Sequence, residues 1–339
     1  MKSILWEPKK YHYTDSNIAN YISYVNEKYN KSITDYDDLY NWSVNEIENF
    51  WESFFLFSKI KSSKYKSVLT NPDSMLDSYW FDGAKLNFAE NLLKYRDNKI
   101  AIEFSCEDKR SGSLTYNELY ERANSLACYL KESGIKKGDR VAALMPNVPE
   151  TVIAMLATSW LGAVWSSCSP DFGINGVLDR FTQIKPKILF TCNGYFYKGK
   201  TIDLNSKILN IKKKLKSLKL IVSLDLIDAE IIKDSVNWNN IGDYKDKKVD
   251  FTQVSFSDPL YIMYSSGTTG KPKSIVHSVG GTLIQHLKEL TLHTDVKRSD
   301  SILYFTTCGW MMWNWLVSSL AVGATIVLYD GNPFYPKKE

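Results

Sequence analysis

From residue 98 onward, short apolar runs alternate with segments whose apolar residues recur every three or four positions. The runs at 99–104, 113–115, 140–145, 163–167, 187–192, 220–224, 260–264, 302–306 and 325–329 predict strands. The segments 116–132, 148–161, 174–184, 281–292 and 313–320 carry helical periodicity. Strands that are continuously apolar, rather than alternating, suit a parallel sheet covered on both faces. The rhythm therefore predicts an α/β fold of mostly parallel sheets flanked by helices. No internal repeat interrupts it.

The first 80 residues differ. They are polar, aromatic and helical in pattern. Ser43 reads as an N-cap and Glu46, three residues on, as the partner in a capping box that opens a helix over 44–57. Ile47, Phe50, Trp51 and Phe54 then share one face, which predicts packing onto the main body. The lysine-rich stretch 205–219 predicts a solvated surface helix, and the polar stretch 234–250 a loop.

One loop carries chemistry. YIMYSSGTTGKPK, residues 261–273, runs from an apolar strand into serine, glycine and threonine and closes on Lys-Pro-Lys. Backbone N–H groups freed by glycine, hydroxyl donors and a terminal cation are what a polyphosphate requires. Ser265, Ser266, Thr268 and Thr269 supply hydroxyls. Gly267 and Gly270 let the backbone wrap an anion. Lys271 and Lys273 supply positive charge where phosphate bonds rearrange. The spacing is not the Walker A pattern, because Pro272 follows Gly270-Lys271.

Composition narrows the function classes. With 339 residues, 44% hydrophobic and 14% aromatic, the chain fills a large interior. A net charge of only +4 argues against nucleic-acid binding, which needs a concentrated basic face. Cys106, Cys128, Cys168, Cys192 and Cys308 are scattered, with no C-x-x-C pair. They predict neither a zinc site nor a disulfide framework, and they fit a reducing cytoplasm. The N-terminus lacks the apolar core of a signal peptide. The longest apolar run, 310–322, is broken by Asn314, Ser318 and Ser319, so no membrane span is expected.

The loop SSGTTGKPK closely resembles the phosphate loop of the adenylate-forming superfamily, which includes acyl-CoA synthetases, luciferases and peptide-synthetase adenylation domains. LTYNELYERANSLACYL (114–130) and RVAALMPNVPETVIAMLATSWLGAVWSSCSPDFG (140–173) resemble two further shared blocks in the same order. YDDLYNWSVNEIENFW, WFDGAKLNFAENLL, SPDFGINGVLDRFTQIKPKILF and FTTCGWMMWNWLVSSLAVGATIVLYDGNP look like the acetoacetate–CoA ligase branch. The resemblance covers nearly the whole chain.

It implies a large N-terminal domain of an adenylate-forming enzyme with a helical extension in front. Residues 1–95 would be the acetyl-CoA-synthetase-type helical region, and 96–339 a truncated AMP-binding domain. It implies ATP, Mg²⁺ and coenzyme A as substrates, with Mg²⁺ arriving on ATP because no carboxylate cluster reads as a metal cage. Gly309, Trp310, Met311 and Met312 would line the acyl pocket. Phe172, Gly173, Tyr197 and Lys200 would meet coenzyme A. Tyr197 and Lys200 stand where related acetyl-CoA synthetases carry arginines, so point charge replaces bidentate phosphate pairing. His277 receives no catalytic role, because a carboxylate is already a nucleophile at neutral pH. The adenine-binding segment, the ribose-binding Asp, the hinge and the lysine-bearing C-terminal domain would follow Glu339. No catalytic residue is expected in this stretch, and it would be inactive alone. A ligase for acetate or propionate, and a non-catalytic nucleotide-binding remnant, remain as alternatives.

Overall fold

The computed structural model describes residues 5, 7, 9–107, 109–241, 244, 247–265 and 270–336, the side chain of Tyr11 excepted. Two sheets organise it. The larger is built from β3 (Arg140–Leu144), β4 (Val164–Cys168), β5 (Ile188–Cys192), β6 (Leu220–Leu224), β7 (Val236–Asn237), β8 (Pro259–Ser265) and β9 (Lys273–Ser278). Their order across the sheet is β7-β6-β5-β3-β4-β8-β9, parallel throughout except for β9, which runs back along β8. The smaller sheet holds β1 (Ile100–Cys106), β2 (Arg110–Thr115), β10 (Ser301–Leu303) and β11 (Thr325–Asp330) in the order β10-β11-β1-β2.

The parallel core follows from burial. β5 is buried at all five positions and β3 at four of five, so both read as apolar runs. The predicted helices form as α4 (Tyr116–Glu132), α5 (Pro149–Trp160), α6 (Ile174–Ile184), α7 (Val279–Lys288) and α8 (Met311–Ser318). Thr115 and Glu118 close a reciprocal capping box that starts α4. Pro149 opens α5 at a position where its missing N–H costs nothing. All 12 residues of α5 are buried, which makes it the central helix.

The N-terminal region departs from expectation. Helices α1 (Asn17–Tyr29), α2 (Tyr36–Asn45) and α3 (Ile47–Phe57) form, but a strand pair, Ser67–Thr70 with Tyr79–Asp82, follows them. Ser43 does not cap a helix. It lies inside Tyr36–Asn45 and donates back to the Tyr40 carbonyl at 2.8 Å. The cap is Asp35, which accepts from the Asp38 N–H. Glu46 sits at the break between two helices and pairs with Lys31 at 2.5 Å instead. Of the predicted apolar face, Phe50 and Phe54 are buried and Trp51 packs on the core, while Ile47 stays exposed. The lysine-rich helix runs over Asn205–Lys214 and buries Ile208 and Ile211. Lys207 is only half-exposed there, and its ammonium donates to the carbonyls of Pro170 and Phe172.

Candidate functional site at the carboxyl ends of the strands

The phosphate loop joins β8 to β9. Ser265 pairs with Lys273, so the two strands that flank the loop run antiparallel at the sheet's edge. Ser266, Gly267, Thr268 and Thr269 lie outside the described residues. Gly270 has φ +110°, a conformation that favours glycine, and among the described residues nothing lies within 4 Å of where a Cβ would stand. Lys271 and Lys273 are exposed. α6 braces the far stem: Gln183 donates to the Pro272 carbonyl at 2.9 Å and accepts from the Ser274 hydroxyl at 3.1 Å. Tyr264 braces the near stem by donating to the Arg180 carbonyl at 3.2 Å. Neither Gln183 nor Tyr264 was marked by the sequence pattern.

The chain passes from β3 to β4 on one side and then to β5 on the other. Loops therefore diverge at the carboxyl ends of these strands, where open α/β sheets place ligands. The segment before α8 is pinned over that point. The Cys308 thiol donates to the carbonyls of Met145 at 2.9 Å and Cys168 at 3.4 Å, and Ser167 donates to the Cys308 carbonyl at 2.6 Å. Asn147, 2% exposed, ties the two sheets together. Its Oδ1 accepts from the Trp313 indole at 2.9 Å, and its Nδ2 donates to the carbonyls of Tyr329 at 3.2 Å and Thr306 at 3.4 Å. Its backbone N–H donates to Asp330 at 2.8 Å.

This frame separates the proposed acyl-pocket residues. Gly309 lines a cavity of about 10 Å³ with Trp165, Tyr261, Met263 and Asn314. Trp310 projects outward and is 64% exposed. Met311, 42% exposed, edges a larger cleft of about 370 Å³ with His277, Thr282, Gln285 and His286. Met312 turns instead toward Leu290, Val296, Trp315 and Ala324. Trp313 is core. The buried Asn314 adds a polar group at the small cavity, its Oδ1 unpartnered among the described residues.

The candidate coenzyme A residues lie on two segments. Phe172 is stacked by the Arg180 guanidinium at 4.7 Å, and Gly173 precedes α6 as its N-cap. Tyr197 ends the first strand of a hairpin, Gly194–Tyr197 with Lys200–Asp203, and Lys200 begins the second. Tyr197 accepts from Asn332 at 3.1 Å, while Lys200 is exposed.

Burial sets the protonation states. It pushes the Asp330 carboxyl up to about 6, against the Asn147 N–H, which lowers it, and with Glu107 and Asp171 adding to the rise. The residue keeps some exposed surface, but its carboxyl points inward beside Asn147. Burial drives His286 down to about 4, where it stays neutral and bonds Ser318 at 2.8 Å. It lowers His277 as well. All five cysteines are buried and free.

The AMP-binding enzyme family pattern matches residues 88–339, and the acetyl-coenzyme A synthetase N-terminus pattern matches residues 36–92. The chain belongs to the AMP-binding enzyme family. Within it, the chain is 46% identical over 336 residues to acetoacetyl-coenzyme A synthetase of Rhizobium meliloti (strain 1021), covering 98% of this chain and 52% of that relative. It is 38% identical over 335 residues to a malonamoyl-CoA synthetase of Penicillium aethiopicum, covering 93% and 46%. The solved acetoacetyl-CoA synthetase from Streptomyces lividans superposes with TM-score 0.94 at 38% identity, over 99% of this chain and 52% of that one. The chain thus spans about half the length of the curated relatives it matches.

Among the described residues, no three His, Cys, Asp or Glu side chains are grouped to hold a metal. Among the described residues, no helix is long and apolar enough to cross a membrane.

Proposed function

We propose that the chain is the N-terminal part of an acetoacetate–CoA ligase. The reaction consumes ATP, acetoacetate and coenzyme A and gives acetoacetyl-CoA, AMP and diphosphate, in the sphere of lipid and fatty acid metabolism. A carboxylate oxygen bonds to the α-phosphorus as the bond to the bridging oxygen breaks and diphosphate leaves. The thiol sulfur then bonds to the carbonyl carbon as AMP leaves. Both reactants of the first step are anions, so charge and donors must be in place beforehand.

In this reading Ser265, Ser266, Gly267, Thr268, Thr269, Gly270, Lys271 and Lys273 hold the phosphates. Gly309 and Met311 border the acid, and Phe172, Gly173, Tyr197 and Lys200 meet coenzyme A. Mg²⁺ travels with the triphosphate. No residue of this chain takes a catalytic role of its own. The protein acts in the cytoplasm, consistent with its five unpaired thiols.

The observation that carries the reading is similarity along 98% of the chain to acetoacetyl-coenzyme A synthetase. The similarity to a malonamoyl-CoA synthetase supports an acid of this kind, since malonamate and acetoacetate both place a carbonyl β to the carboxylate. The test is acid-dependent ATP–pyrophosphate exchange by the full-length enzyme, with acetoacetate, malonamate, acetate and propionate compared. Acetoacetate should give the highest kcat/KM. Higher values with acetate or propionate would make it a ligase for another short acid. ATP binding without any exchange would leave a non-catalytic remnant.

A further inference from the structure

Three segments far apart in sequence meet at one carboxylate. Glu107 directly follows β1. Its Oε1 accepts from the backbone N–H of Lys198 at 2.7 Å and of Asn332 at 3.0 Å, and its Oε2 accepts from that of Gly199 at 2.9 Å. Its own N–H donates to the Asp330 carbonyl at 3.1 Å. One side chain thus joins the end of the small sheet, the segment after β11 and the tip of the hairpin that carries Tyr197 and Lys200.

The backbone is bent to make this possible. Glu107 has φ +47°, Lys198 +53°, Gly199 +69° and Gly331 +123°. Positive φ at both turn residues is the pattern of a two-residue hairpin, normally filled by Asn-Gly. A lysine in the first place is disfavoured there and persists only because the surrounding contacts over-determine it. Gly331 has to be glycine here, because a Cβ would stand 2.3 Å from the Glu107 Cγ. A Cβ on Gly199 would stand 2.2 Å from the Tyr335 hydroxyl. Asn332, held through its N–H by Glu107, passes its own side-chain amide to the Tyr197 hydroxyl. Two of the four candidate coenzyme A residues are therefore placed by Glu107, either directly through the turn or through Asn332.

We propose that Glu107 is a positioning residue for the coenzyme A half of the reaction, fixing the hairpin that presents Tyr197 and Lys200. The proposal rests on the reading of that hairpin as a coenzyme A contact. Glu107 touches no reacting atom. It sets where a tyrosine and a lysine stand, and so acts on thiol-substrate binding and not on adenylate formation.

The experiment uses the full-length enzyme and two half-reactions. Glu107→Gln keeps the side-chain shape but turns an NH₂ group against N–H donors. The KM for coenzyme A should rise about tenfold, the loss expected of a charge-assisted bond. ATP–pyrophosphate exchange, which needs no coenzyme A, should stay within about twofold of the parent. The amides of Lys198 and Gly199 should exchange with deuterium at least about tenfold faster. If Glu107→Gln does not fold, Glu107→Asp, which retains charge but is one methylene short, is read in the same way.

Tyr197→Phe and Lys200→Gln test the underlying reading. If neither raises the KM for coenzyme A, the hairpin is not a contact, and the proposal falls with that reading. If they raise it while the Glu107 variant does not, the proposal alone is overturned. It is equally overturned if Glu107→Gln depresses both half-reactions together, because the carboxylate then only staples the fold.

Discussion

Replacing Asn147 by alanine tests the junction on which the site stands. The substitution removes one acceptor and two donor contacts at a position 2% exposed, and leaves the backbone bond to Asp330 intact. The Trp313 indole N–H, on a side chain with no exposed surface, loses its acceptor. A buried donor left unsatisfied costs about 1–3 kcal/mol. The two carbonyls of Tyr329 and Thr306 lose a shared donor through longer bonds, which adds about 1 kcal/mol more. The expected destabilisation is thus about 2–4 kcal/mol, read from urea midpoints with an unchanged slope. Trp313→Phe removes the partner instead. In the double variant the orphaned indole no longer exists, so the two costs should fall short of additivity by about 1–2 kcal/mol. A loss under about 0.5 kcal/mol for Asn147→Ala, or additivity within about 0.3–0.5 kcal/mol, would refute the junction. Because Trp313 anchors α8, the same variant in the full-length enzyme should raise the KM for the acid more than that for ATP.

Other outcomes follow from the same geometry. Gly280→Ala should lower stability by about 1–3 kcal/mol, because its Cβ would stand 2.1 Å from the Phe256 ring, and thermal unfolding will show it. Stability against pH should contain two opposed slopes. Asp330, raised to about 6, binds its proton longer in the folded state, so its contribution falls as pH rises from about 4 to 6. His286, lowered to about 4, is protonated first in the unfolded state, so its contribution grows from about 4 to 6.5. Asp330→Asn should therefore leave a curve that rises with pH, and His286→Gln one that falls. Parallel curves for parent and variants would contradict both assignments.

Much of the parallel core was legible because fully buried strands leave continuous apolar runs. α4 and α6 formed over the residues their periodicity marks. The strand Lys273–Ser278 was not legible. Ile275 and Val276 are exposed on it, so no face of it carries a burial pattern. The hairpin around Lys198-Gly199 escaped because its turn lacks the usual Asn-Gly pair. Ser43 misled because a serine followed by an acid three residues on is also found inside helices. The phosphate loop is readable as a composition, since its chemistry lies in consecutive residues. Asn147 and Glu107 act through partners more than 80 positions away along the chain, which no local pattern encodes. The one hint for Asn147 was a polar residue directly after an apolar strand, between Pro146 and Pro149.

The smaller sheet also has a history in time. Ile102 in β1 pairs with Ile326 in β11, so the strand is complete early in synthesis and its parallel neighbour arrives near the end. At roughly 5–20 residues per second on the ribosome, the hairpin of β1 and β2 waits for tens of seconds with one edge open. An open edge invites pairing with another nascent chain. Glu103, charged and exposed in the middle of β1, opposes such pairing while the edge waits. Its replacement by valine would leave the finished protein nearly unchanged and the growing one prone to stick to its neighbours on the same message.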